Sequence, residues 1–229
     1  MKHVTRPNKR TYHLSQSFHE RLNCYTLQAA VAGAGLLVLA RPAEAKIVYT
    51  PTHHVINNGG SFPLDFNQGV TALTFRNWAT SSCSTDGSCW PFQNLAASLA
   101  KGNRAVHNIA GAVAMKPGMR IGPKQFFGGG REIMAFAGTG TTSRAGGSWA
   151  NVKNRYLGVR FKIKGETHYG WARLSVRVHV PLTVTATLTG YAYETIANKP
   201  IIAGKTEGSN VITLQPDSLG RLAQGSAGR

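Results

Sequence analysis

Alternation of apolar and polar positions is clearest between Arg155 and Thr189. In 156–164, Leu157, Val159, Phe161 and Ile163 fall on one side, and Gly158, Arg160, Lys162 and Lys164 on the other. A period of two with one apolar side is the mark of a half-buried strand. Lys164-Gly165-Glu166-Thr167 reads as a turn, and the alternation then resumes. Ala172, Leu174, Val176, Val178 and Val180 form the inward row of the next strand, with Trp171, Arg173, Ser175, Arg177 and His179 outward. Pro181 ends that run, because a proline removes a ladder donor. Thr183–Thr189 then sets Val184, Ala186 and Leu188 against four threonines, and Tyr191–Thr195 and Ile201-Ile202 extend the series as edge strands.

Upstream, Ile47–Thr50 is β-branched and aromatic and halts at Pro51, Asn57-Asn58-Gly59-Gly60 is a turn, and Ser61–Phe66 and Thr71–Trp78 follow as strands. Asn94–Ala100, closed by Gly102, fits either one or two helical turns or a short strand. From Ala105 to Met134 short apolar pieces alternate with glycine and proline pairs, and Gly138–Ser148 reads as an exposed flexible loop. Short strands joined by tight turns pair antiparallel. The predicted fold is therefore all-β, an antiparallel β-sandwich, with an irregular β-barrel as the alternative.

The first 45 residues differ in kind. A basic stretch precedes the apolar run Ala29–Ala40, and Arg41-Pro42 and the small-x-small triplet Ala43-Glu44-Ala45 follow it. This is the secretory signal pattern, and the run is shorter than the roughly 20 residues of a membrane span. The expected organisation is a signal peptide with its helix over 1–45, a β-sandwich domain over 46–205, and a polar, disordered tail over 206–229 in which Val211–Leu214 adds one strand. The product is expected to be secreted or periplasmic, from a bacterium, without a stable membrane span after cleavage. Cys24 lies ahead of the cut, leaving Cys83 and Cys89 around Ser84-Thr85-Asp86-Gly87-Ser88. An even pair across Asp-Gly turn chemistry in an oxidising compartment predicts a structural disulfide, worth about 2 kcal/mol for so short a loop.

Charge narrows the partners. The chain carries +17, and from Lys46 onward 20 Lys+Arg face 7 Asp+Glu. Such an excess favours anionic polysaccharide or an envelope surface. Arg160, Lys162 and Lys164 share one side of their strand, and Arg173 and Arg177 share a side of the next, with Trp171 and His179 beside them. Cations interleaved with an aromatic ring suit sulfated, uronate or phosphate polymers, so Arg160, Lys162, Lys164, Trp171, Arg173 and Arg177 form the predicted ligand-binding face. Trp171 is equally a core candidate if Gly170 marks a bulge that changes the facing.

Catalytic and cofactor motifs fail on inspection. Gly204-Lys205-Thr206 mimics the end of a phosphate loop, but Lys199 stands where the first glycine is required, which excludes nucleotide. Leu64–Gly69 begins like a calcium loop but lacks its third acid and closing glutamate. His53-His54, His107, His168 and His179 lack metal-ligand spacing, and no Gly-x-Ser-x-Gly elbow exists. No catalytic residue, metal or cofactor is expected. Two other functions stay open: a hydrolase or lyase assembled from His168, Tyr193 and Glu194, and a structural subunit of a surface layer or filament.

Tyr156-Leu157-Gly158-Val159-Arg160-Phe161, His168-Tyr169-Gly170-Trp171-Ala172-Arg173-Leu174 and Gly190-Tyr191-Ala192-Tyr193-Glu194-Thr195 together resemble a recurring module of uncharacterised secreted bacterial proteins, many of them linked to PEP-CTERM-type sorting. The resemblance covers roughly the last third of residues 46–229 and implies an extracytoplasmic β domain. The Pro-Glu-Pro sorting tail is missing, so the likeness does not carry anchoring by that route.

Overall fold

The computed structural model describes residues 46–67, 69, 71–139, 143–207 and 210–214, all within one compact unit, Ala45–Arg229. The predicted signal segment lies outside the described residues, as does the tail beyond Leu214. In chain order the strands are β1 (Ile47–Ile56), β2 (Ser61–Leu64), β3 (Leu73–Cys83), β4 (Cys89–Leu99), β5 (Arg104–Asn108), β6 (Gly111–Ala112), β7 (Arg120–Ile121) and β8 (Phe127–Gly128). They continue with β9 (Arg131–Gly138), β10 (Arg144–Gly146), β11 (Val152–Ile163), β12 (Glu166–His179), β13 (Thr183–Glu194), β14 (Ile201–Ile202) and β15 (Val211–Thr213). There is no helix among the described residues.

The larger sheet has eight strands and runs β15-β1-β13-β12-β11-β5-β6, with β8 on β5; the smaller has five, in the order β10-β9-β4-β3-β2. Neither closes on itself, so the molecule is a sandwich and not a barrel. Pairing is antiparallel except where β15 joins β1 in parallel, which places Val211–Thr213 of the predicted Val211–Leu214 strand at the edge of the larger sheet. The core between the layers takes Leu157, Val159, Phe161, Leu174, Val176, Val184 and Leu188 from the larger sheet. Leu64, Leu73, Phe75, Leu95 and Ala97 meet them from the smaller one. The positions from the larger sheet are inward ones that alternation assigned.

Two local readings need correction, and one left open is decided. Val180 is 57% exposed because β12 ends at His179, and alternation does not pass a strand end. Of Asn94–Ala100, residues 94–99 are strand, since β4 pairs with β3 on one side and β9 on the other. Within Gly138–Ser148, Arg144–Gly146 is ordered as β10 against β9, and the following Trp149 is fully buried with its indole N–H donating to the Ala112 carbonyl at 3.0 Å.

Cys83 and Cys89 are disulfide-bonded at the end of the β3–β4 hairpin. Ser84 and Ser88 donate to Asp86 inside that loop, and these bonds hold its carboxyl below the usual carboxylate value.

A polar bridge crosses the core. β1 ends at Ile56, opposite Ala186, so Val184, two residues on along β13, has no ladder partner on that side. Gln93 of the smaller sheet supplies one: Val184 N–H donates to its Oε1 at 3.1 Å, and its Nε2 donates to the Val184 carbonyl at 2.9 Å. Asn77 Nδ2 donates to the carbonyls of Ile56 and Val184 at 3.1 and 2.8 Å, and Asn77 Oδ1 accepts from Gln93 Nε2 at 2.7 Å. Both side chains are buried. An unpaired buried group costs about 1–3 kcal/mol, so Gln93→Leu, which orphans the Val184 N–H and Asn77 Oδ1 while Asn77 still bonds the Val184 carbonyl, is expected to lower unfolding free energy by about 3 kcal/mol or more. Urea denaturation measures this; a loss within experimental error would contradict the bridge.

Candidate functional site

Alternation places Arg160, Lys162, Trp171, Arg173 and Arg177 on the outer side of β11 and β12, as the sequence implied. That side is not one open face. The segment 113–121 and residues 201–203 lie across its middle, where Met115, Ile121, Ile201 and Ala203 form a second apolar cluster with Tyr156, Trp171 and Ala192. Gly158 makes the close approach possible: a Cβ there would stand 2.7 Å from a Val106 methyl and 2.9 Å from Met115 Sδ.

Trp171 is therefore a core residue, 0% exposed, packed edge-on to Tyr156 at 5.1 Å between ring centroids. This corrects its expected place beside the cations on an open face: the roof over it is built from a distant part of the chain. Its indole N–H has no hydrogen-bond partner among the described residues.

The roof divides the basic row. On one side Arg160 stacks 4.9 Å over the Phe127 ring, Lys162 Nζ donates to Thr167 Oγ1 at 2.7 Å, and Lys164 sits in the hairpin turn with φ 49°. On the other side lie Arg173 and Arg177. Arg173 is half-buried, its Nε donating to Thr189 Oγ1 at 2.8 Å and its Nη2 to the Thr189 carbonyl at 3.0 Å and Tyr49 Oη at 3.2 Å. Tyr49 reaches this place because Gly190 leaves room for its ring; a Cβ at Gly190 would meet it at 2.8 Å. Tyr49 also lies 5.8 Å from Trp171, so it marks the border between the roofed half and the open half.

The open half is a groove of about 600 Å³ floored by Ser175, Thr185, Thr187 and Thr189, with His53, Lys153 and Arg177 as its basic side chains. No acidic residue lines it. Lys153 and Arg177 are exposed and make no ion pair among the described residues. Pattern reading did not assign two of these basic residues to the face, for one reason. His53 lies in the register shift of β1 between Pro51 and His54, and Lys153 in that of β11 between Val152 and Arg155; a bulge breaks the period on which the reading depends. The four threonines opposite Val184, Ala186 and Leu188 were the available signal.

The other candidate chemistries are differently placed. His168 and Glu194 are buried, and His168 Nδ1 lies 3.0 Å from the Glu194 backbone carbonyl. The Glu194 carboxylate instead pairs with Lys199 at 3.4 Å and accepts the Ile196 N–H at 3.1 Å. Tyr193 packs against Phe161 and Phe66, and burial, aided by Asp65, pushes its phenol upward. His168 Nδ1 and the Glu194 carboxylate are thus bonded to other groups, and no side-chain hydrogen bond joins the three among the described residues. Asp65 accepts the N–H groups of Asn67 and Gly69, which is turn chemistry. One pair escaped the sequence reading: His107 Nδ1 contacts the buried Glu132 carboxylate at 3.0 Å. Among the described residues no three His, Cys, Asp or Glu side chains converge as metal ligands.

No protein-family model matches the chain, and no curated protein and no solved structure matches it either.

If Trp171 is core with an unbonded N–H, its ring volume matters and its polarity does not. Trp171→Ala is expected to cost about 3–5 kcal/mol, and Trp171→Phe, which keeps an aromatic ring, markedly less. Denaturant unfolding of both variants decides; equal losses would contradict this role.

Proposed function

We propose that this protein is an exported, non-catalytic β domain that holds acidic polysaccharide of the bacterial envelope or matrix in the open groove on its larger sheet. The observation that supports this reading is the groove itself, in which Lys153 and Arg177 stand without carboxylate partners over a floor of hydroxyls. Concave surfaces lined by one sign of charge focus field and concentrate counter-ions. The Thr185 and Thr187 side chains offer hydroxyls to sugar oxygens, while Lys153 and Arg177 meet carboxylate or sulfate.

The ligand-binding residues of this reading are Arg177, Lys153 and His53, with Arg173 at the border. Arg160, Lys162 and Lys164 lie beyond the roof and extend the basic surface without lining the groove. The secretory pattern of residues 1–45 and the likeness to secreted modules support an exported location, where acidic polymers are found.

The chain is expected to be retained on immobilised heparin, with retention falling steeply as salt rises, because exposed charges are screened beyond about 8–10 Å at 0.10–0.15 M. Replacing two exposed cations removes about 1–2 kcal/mol, so Lys153→Gln with Arg177→Gln is expected to weaken binding to a heparin oligosaccharide roughly tenfold. Titration calorimetry on the folded variant measures it. Unchanged affinity would overturn the groove as the binding surface.

A further inference from the structure

The outer face of the smaller sheet carries a second concavity, of about 370 Å³, between the Gly59-Gly60 turn, Ser61, Arg76, Trp78 and Arg131. Its residues follow from the alternation of β3. Phe75 and Asn77 point into the core, one in the apolar cluster and the other in the bridge to Val184. Arg76 and Trp78 therefore stand outward. Arg131 comes from β9, two strands away across β4, and sets its guanidinium 5.3 Å from the centroid of the Trp78 ring.

Three features point to a ligand. Neither Arg76 nor Arg131 makes an ion pair among the described residues, although both border the same cavity. The stack on Trp78 restricts the Arg131 side chain, so its planar fork is set before anything binds, and less freedom is lost on complex formation. The opposite wall is a glycine turn and a serine, which leaves the space open and adds a hydroxyl. The cavity volume falls in the range of small-molecule sites, which suits one sugar-sized unit.

We propose that this cavity is a binding site for a single oxyanion-bearing unit, a uronate or a sugar phosphate. Arg76 and Arg131 hold its oxygens, and Trp78 orients Arg131. A carboxylate and a phosphate each present two oxygens that can accept the parallel N–H groups of a guanidinium fork. The site is separate from the groove of the larger sheet and faces away from it, since Asn77 and Val184 meet in the layer between them.

The test is titration of the full chain with glucuronate, glucose 6-phosphate, inorganic phosphate and neutral glucose, followed by tryptophan fluorescence and by calorimetry. Expected is a saturable fluorescence change with glucuronate or glucose 6-phosphate and none with glucose. Saturation by inorganic phosphate at equal affinity would assign the site to the oxyanion alone; weaker binding would show that the sugar ring contributes. Trp78→Phe should abolish the fluorescence change. Arg131→Gln and Arg76→Gln should each weaken binding by roughly tenfold or more by calorimetry, and Arg131→Lys should restore only part. Circular dichroism verifies that each variant is folded. No saturable change with any anion at tens of millimolar, or unaltered affinity in both arginine variants, would overturn the proposal. The readout is Trp78 and not polymer retention, so failure here and failure of the groove are distinguishable.

Discussion

The stacking of the two sheets rests on the amides of Gln93 and Asn77. β1 stops at Ile56, and Val184 would otherwise carry an unpaired N–H and C=O in the core; Gln93 occupies the position of the missing strand and bonds both. Apolar contact between sheets is non-directional and tolerates sliding. A bonded amide pair does not. By fixing Val184 inward, the bridge also fixes Thr185 and Thr187 outward, and so determines which side of β13 becomes the floor of the groove.

The second constraint is that the larger sheet is buried on both faces over part of its area. Gly158 removes a side chain from the outer row, segment 113–121 settles there, and Trp171 and Tyr156 become core. The remaining outer surface is polar, and no element among the described residues covers it. Tyr49, seated against Gly190, closes the edge of the roof and hands a hydroxyl to Arg173. The apolar cluster and the basic groove are thus two halves of one sheet face.

Much of this was legible in the sequence, and the misreadings share a cause. The strands from Tyr156 to Thr189 were readable because their two sides differ chemically at every step. The disulfide was readable because its turn lies between the two cysteines. Trp171 was open between core and binding residue, because an aromatic ring among outward cations fits both when the elements covering it are distant in sequence. Gly158, an absent side chain in a row of long ones, was the signal for that roof. His53 and Lys153 were hidden by bulges, which change the side a residue faces without changing composition. Asn94–Ala100 was undecidable locally because only its pairing partners, β3 and β9, make it a strand.

The central claim is that one half of the outer sheet face is sealed and the other half takes acidic polymer. Amide and side-chain NMR shifts of the full chain titrated with a heparin oligosaccharide test it most directly. The account predicts changes concentrated at His53, Lys153, Arg177, Thr185 and Thr187, with the Trp171 indole and Tyr156 unmoved. Shifts centred on Trp171, or spread evenly over every exposed lysine and arginine, would contradict it.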